Sequence, residues 1–244
     1  MVSAYFSGLC SLYFPSTFRS CSVVVEVVVA GPDSVLDELN AGDFILDFVG
    51  PLGKASEFDG VKKVAVIGGG LGTAIAYPQA KKLHLMGVSV DMINGFRNKE
   101  IVIIEDECKK VSDNLYTMTD DGSNGNKGFV TTKLQELIEG GEKYDMVIAI
   151  GPLVMMKAVC DLTKKYGIKT IVSMNPVMID GTGMCGGCRV TVGGETKFAC
   201  VDGPDFDGHL VDFDTAIRRS KMYSKEEIKA RENHKCRMEG MKNA

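Results

Sequence analysis

Two thiols flank a glycine pair in Cys185-Gly186-Gly187-Cys188, and a third follows at Cys200. Glycines accept positive φ angles, which lets successive backbone N–H groups turn inward toward sulfur or another anion. The stretch from Arg189 to Phe198 reads as a hairpin closed by the two-residue turn Gly193-Gly194. Counting back from that turn pairs Val192 with Glu195, Arg189 with Phe198 and Gly187 with Cys200. The ribbon thus returns the third thiol to the first two, which is the layout of a metal site. Three thiolates need a fourth ligand, and two residues compete for the place. Asp180, ahead of Cys185, gives the plant-type [2Fe–2S] spacing with a carboxylate in the first position. His209 would give a Cys3His zinc site instead, and its plainer reading is an ordinary surface histidine. A Cys185–Cys188 disulfide is the third option.

The other cysteines carry less. The chain has eight in 244 residues, unevenly spaced, which fits metal or redox use better than a disulfide framework. Cys10, Cys21, Cys108, Cys160 and Cys236 stand singly and read as small buried hydrophobes.

The elements that must position this ribbon precede it. Residues 61–173 alternate strand and helix. Strands are expected at 61–67, 88–93, 115–119, 144–150 and 169–173. Helices are expected from the glycine cluster to about Met86 and at 101–111, 129–139 and 153–166. Apolar strands separated by helices imply an α/β fold, a five-stranded parallel sheet covered on both faces. Ligands of such sheets sit beyond the C-terminal ends of the strands. Three loops there stand out: Gly68-Gly69-Gly70-Leu71-Gly72, Thr119-Asp120-Asp121-Gly122-Ser123 and Gly151-Pro152. The first suits a phosphate at a helix N-terminus, although Thr73 stands where the dinucleotide fingerprint has Gly or Ala. Together the three loops suggest a dinucleotide site.

Ahead of the sheet, residues 23–30 and 44–49 read as strands and 34–40 as a short helix capped by Ser34, the remnant of a small β-barrel. The expected division is 1–60 for a partial flavin-binding barrel, 61–175 for an NAD(P)-binding α/β domain, 176–215 for a cluster domain and 216–244 for a charged helical tail. Ser224 and Glu227 form a capping box for that tail. A net charge of −4 argues against nucleic acid or an anionic membrane as partner. No apolar run nears the roughly 20 residues that cross a bilayer, and no signal peptide is visible. The expected compartment is the cytoplasm.

The stretch Asp180-Gly181-Thr182-Gly183-Met184-Cys185-Gly186-Gly187-Cys188-Arg189-Val190-Thr191-Val192 is followed by Phe198-Ala199-Cys200-Val201-Asp202-Gly203-Pro204 and Asp207-Gly208-His209. With Gly50-Pro51-Leu52-Gly53-Lys54, Arg97-Asn98-Lys99, Glu105-Asp106-Glu107 and the three loops above, it closely resembles one group within the ferredoxin reductase-like family. That group is the small (alpha) subunit of NADH-dependent ferredoxin:NADP oxidoreductases, sulfide dehydrogenase-like FAD/NAD-binding proteins. The chain is similar, more distantly, to the electron-transfer subunit of dihydroorotate dehydrogenase. The resemblance runs from about Val23 to Met222.

The resemblance implies an FAD between a β-barrel and the nucleotide domain, with NAD(P)H docking at the sheet edge. It implies cofactor-binding roles for Gly50, Pro51, Leu52, Gly53, Gly68, Gly69, Gly70, Gly72, Thr73, Asp120, Asp121, Gly122, Gly151, Pro152 and Met156. It implies a [2Fe–2S] cluster on Asp180, Cys185, Cys188 and Cys200, with Cys at the first place in the dihydroorotate relatives. The implied partner is a larger flavoprotein and iron–sulfur subunit, like the glutamate synthase small subunit, with ferredoxin as a further electron partner. No catalytic acid or base is expected, since the cofactors carry the chemistry. Residues 1–22 lack the Arg-x-Tyr-Ser-type flavin motif of these relatives, and the expectation is that they replace the first half of the barrel. That departure weighs against FAD. The leading expectation is an electron-transfer subunit of an NAD(P)H-linked flavoprotein oxidoreductase. The alternatives are a zinc-stabilised nucleotide-binding module and a flavin-less inactive fragment of such a subunit.

Overall fold

The computed structural model describes residues 52–229. The strands expected at 23–30 and 44–49, the helix at 34–40, the atypical start 1–22, and Gly50 and Pro51 lie outside that range. Residues 52–60 hold no strand, and the sheet begins just after them.

Among the described residues eight strands and six helices follow in order, before a further helical stretch at 224–229 where the tail helix is expected. They are β1 (Lys63–Gly69), α1 (Gly72–Leu85), β2 (Ser89–Phe96), α2 (Glu105–Lys110), β3 (Asn114–Thr119), α3 (Val130–Glu139), β4 (Met146–Ile150), α4 (Leu153–Tyr166) and β5 (Lys169–Ser173). Then come β6 (Arg189–Val192), β7 (Glu195–Phe198), α5 (Ala199–Asp202), β8 (Asp205–Asp207) and α6 (Phe213–Ser220). The main sheet runs β3-β2-β1-β4-β5-β8, and β6 and β7 form a separate hairpin.

The first five strands are parallel, as expected. The sixth is a correction to the five-stranded sheet: β8 pairs antiparallel with β5, setting Ser173 opposite Asp205. Its partner strand would otherwise present a free edge, and Pro204, directly ahead of it, suits an edge strand. The helix expected at 101–111 is also shorter. Asn98 caps a 3-10 turn, Lys99–Ile101, and Ile104 at φ 45° separates that turn from α2. A β-branched residue in the left-handed region interrupts helical geometry, so the apolar run 101–104 does not join the helix.

Strand residues alternate between two apolar layers. Val64 and Val66 of β1 face α1 and α2 with Met92, Ala80 and Leu83. Ala65 and Ile67 face α3 and α4 with Leu134, Met156 and Val159, and this second core also takes in Cys188, Val190 and Cys200 of the hairpin region. The cysteine ribbon is thus packed on the sheet's α4 face. At the opposite end of the strands a polar pin closes the bottom. Asp91, almost fully buried, accepts from Tyr144 Oη at 2.8 Å and Asn114 Nδ2 at 2.7 Å, with Lys63 Nζ at 3.4 Å.

Candidate iron–sulfur and nucleotide sites

The hairpin forms in the expected register, Val192 opposite Glu195 and Arg189 opposite Phe198. The expected Gly187–Cys200 pair does not form. The ladder stops at Phe198, and Cys200 instead enters the helical turn α5, held by Ala199 N–H to Cys188 O at 3.1 Å. This turn still delivers the thiol. Cys188 Sγ and Cys200 Sγ lie 3.2 Å apart, 2% and 7% exposed.

The other two donors form a second pair. Asp180 Oδ2 accepts the Cys185 N–H at 2.8 Å, and Oδ1 accepts the Thr182 N–H at 3.0 Å. The Thr182 N–H foremost, then those of Cys185 and Gly183, hold the Asp180 carboxyl below the usual carboxylate range. It is therefore an anion with lone pairs to spare. Backbone donors also reach sulfur: Gly187 N–H to Cys185 Sγ at 3.3 Å and Cys200 N–H to Cys188 Sγ at 3.5 Å. The loop is braced by Arg189 Nη1 to Gly186 O and by Arg219 Nη2, from α6, to Gly187 O.

This donor set fits a two-metal cluster. Burial, with Cys188 alongside, pushes the Cys200 thiol up to about 11, and a sealed thiol pair is stable as thiolates only with a cation between them. Inward N–H groups are the second shell that tunes iron–sulfur centres. Two separate donor pairs match two irons, each with two protein ligands. His209, the rival ligand, turns Nε2 to Thr163 Oγ1 of α4 at 3.1 Å. The disulfide option also falls, because Cys185 and Cys188 are both free.

The three expected loops lie along the C-terminal edge of the parallel strands, and those after β1 and β4 touch. Here the glycines divide into two kinds. A Cβ on Gly72 would lie 2.4 Å from Ile150 O, and one on Gly69 would lie 2.5 Å from Met155 Sδ and 2.8 Å from Pro152 Cδ. These residues let the loops after β1 and β4 touch backbone to backbone. Gly68 likewise packs on Thr73 and Asn94. Gly70 is different: at φ 55° it has nothing within 4 Å of a would-be Cβ. It is the glycine open to a ligand.

Thr73 is fully buried, with its hydroxyl against Gly68 rather than facing out. Met156 is fully buried in the α4-side core, whereas Met155, which sequence reasoning did not single out, lies beneath Gly69 and Gly151. Asp120 and Asp121 are exposed on the loop after β3. That loop is tied to the end of β2 by Asp120 N–H to Phe96 O, Asp121 N–H to Arg97 O and Lys99 N–H to Ser123 Oγ. Between the two loops opens a cleft of about 530 Å³ lined by Asn98, Lys99, Glu100, Asp121 and Ser123. Hydrogen bonds from Ser123 hold the Asp121 carboxyl below its ordinary range. Leu52 and Gly53, the described half of their motif, lie on the cluster region: Leu52 Cδ1 would sit 3.1 Å from a Cβ on Gly181, and a Cβ on Gly53 would sit 2.5 Å from Gly203 O.

A parallel nucleotide-type sheet carrying a paired-donor hairpin is the build of an iron–sulfur electron-transfer subunit. Residues 175–212 match the iron–sulfur cluster binding domain of dihydroorotate dehydrogenase B. The chain is 47% identical over 204 residues to the dihydroorotate dehydrogenase B (NAD(+)) electron transfer subunit homolog of Thermotoga maritima, covering 84% of this chain and 72% of that protein. It is 52% identical over 217 residues to an uncharacterised protein of Clostridium beijerinckii encoded in an adh 3′ region, covering 86% and 73%. A solved chain described for the NADH-dependent reduced ferredoxin–NADP oxidoreductase and flavin-based electron bifurcation superposes with TM-score 0.75 at 44% identity, covering 85% of this chain and 75% of that one. The chain belongs to the family of dihydroorotate dehydrogenase B electron-transfer subunits.

Proposed function

We propose that Asp180, Cys185, Cys188 and Cys200 hold a [2Fe–2S] cluster, that NADH or NADPH docks over the loops ending β1, β3 and β4, and that the chain hands electrons to a larger subunit. The observation that carries this reading is the arrangement of four donors as two pairs, with backbone N–H groups turned to sulfur. Bound there, the cluster supplies a one-electron carrier between hydride chemistry and single-electron acceptors. The protein's own part is to hold, shield and space. The core seals Cys188 and Cys200, while Cys185 stays exposed beside Met184, 86% exposed, and Ile179, 59% exposed. An apolar rim next to an exposed ligand supports docking of a partner at this face.

The open glycine Gly70, with α1 starting two residues on, supports placing the nucleotide's phosphates there. The cleft at Asn98, Lys99 and Asp121 supports the adenosine end. FAD is drawn from the likeness to the bifurcating oxidoreductase, and its site would involve residues before Leu52. A partner like the glutamate synthase small subunit, ferredoxin as a further partner, and a cytoplasmic setting belong to the same proposal. No helix among the described residues is long and apolar enough to cross a membrane.

Anaerobic purification followed by a visible spectrum, with iron and acid-labile sulfide measured on the same sample, tests the cluster. The expected result is brown protein with iron and sulfide in equal amounts, bleached by NADH or NADPH if flavin is bound. Colourless protein, or zinc in place of iron, overturns it.

A further inference from the structure

The electron-carrier reading leaves the groups around Asp205 without a role. This residue opens β8 opposite Ser173. Its Oδ2 accepts from Ser56 Oγ, far away in the chain, and from Gln79 Nε2 of α1 at 3.2 Å. Ser173, directly opposite on β5, sets a neutral hydroxyl beside the same carboxyl. Among the described residues the elements packed on it, the segment 52–58, α1 and β5, therefore bring neutral partners only. Around this point the segment lies against the cluster region: Lys54 N–H donates to Gly203 O at 2.7 Å, and Gly53 and Leu52 press on Gly203 and Gly181.

Two more atoms define the chemistry. Asp205 is part-exposed as a residue, yet its Oδ1 is sealed from solvent, as is Gln79 Oε1, and neither meets a donor among the described residues. As a carboxylate, Asp205 would add a buried charge to a pair of unserved acceptors, which is costly. A single proton on Oδ1 removes both defects. Carboxyl and amide edges then complement each other, Nε2–H to Oδ2 and Oδ1–H to Oε1.

We propose that Asp205 is a positioning residue, held as the neutral acid against Gln79, which clamps residues 52–56 over the cysteine loop. Burial pushes its carboxyl above the ordinary carboxylate range, in the sense this requires. The clamp joins the turn at 52–56, whose Leu52 and Gly53 the resemblance gives to a cofactor, to the region the proposed function assigns to the cluster. Its purpose rests on that reading, and its existence does not.

The test compares the full chain, purified anaerobically, as wild type, Asp205→Asn, Asp205→Ala and Ser56→Ala. Hydrogen–deuterium exchange of residues 52–58 reads the clamp. Asp205→Asn keeps one donor and one acceptor, so its exchange stays within about twofold of wild type, while Ser56→Ala and Asp205→Ala speed it by about tenfold. Ser56→Ala keeps the test alive if Asp205→Ala does not fold. Thermal unfolding from about pH 4 to about pH 8 reads the proton. With the folded pKa raised, the acid's stabilising contribution is full below its unfolded value near 4 and is lost as pH rises through the folded value. The non-titrating Asp205→Asn therefore gains on wild type as pH rises. Exchange as fast in Asp205→Asn as in Asp205→Ala, or a variant-minus-wild-type difference that is flat or shrinks with pH, overturns the proposal. The colour of the wild-type sample is read alongside: colourless protein with an intact clamp sinks the cluster alone.

Discussion

At the scale of single residues, Cys188 and Cys200 come within 3.2 Å because they stand on either side of a short Gly-Gly hairpin. What spacing did not reveal was the route of the third thiol. Cys200 arrives from a helical turn, where period-two counting has no meaning. The distinction between Met155 and Met156 was equally hidden, since one step along a helix changes the facing direction by about 100° and no polar neighbour marks it. Two predictions belong here. Asp180→Ala is expected to weaken iron retention by about tenfold or more, measured by iron content after gel filtration, while Asp180→Cys keeps the iron with a changed spectrum. Among the glycines, Gly72→Ala forces a Cβ onto Ile150 O and is expected to cost about 1–3 kcal/mol of stability. Gly70→Ala meets no neighbour, so its loss, about 1 kcal/mol from backbone conformation, comes with a weakened titration by NADH.

At the scale of elements, the five parallel strands were legible because each is a short apolar run between helices, and the run at 64–68 is buried throughout. The edge strand was not. Asp205-Phe206-Asp207 is too short to carry a pattern, and its partner is set by tertiary packing alone. Helix α2 was misjudged for a related reason: three isoleucines and a valine look like the start of a helical face, and only the backbone at Ile104 says otherwise. The pin beneath the strands makes a prediction at this scale. Burial, foremost, and the bond to Asp91 push the Tyr144 hydroxyl well above its ordinary range, so it stays a donor. Tyr144→Phe removes that donor from a buried carboxylate and is expected to lower the unfolding free energy by about 1–3 kcal/mol in urea titration.

At the scale of the whole molecule, charge and acid response follow from several carboxylates held below their ordinary range. Asp113 owes this chiefly to Ser89, Asp145 to the Lys63 N–H and Asp212 to Thr215. A depressed folded pKa stabilises above the unfolded value, and that contribution is lost as pH falls through the folded one. The thermal midpoint is therefore expected to drop on acidification below about pH 4, a trend opposite in sign to that of Asp205 and read by extending those melts to about pH 2. The antiparallel strand β8 has one more consequence. It comes from the stretch after the cysteine ribbon, yet its hydrogen bonds complete the sheet that bears the glycine loops after β1 and β4. The two regions are stitched, so neither is a portable cassette. A gene cut near residue 175 would strip the cover from β5 and leave a raw border able to recruit foreign strands, and a ribbon grafted elsewhere would have to bring a host sheet with it.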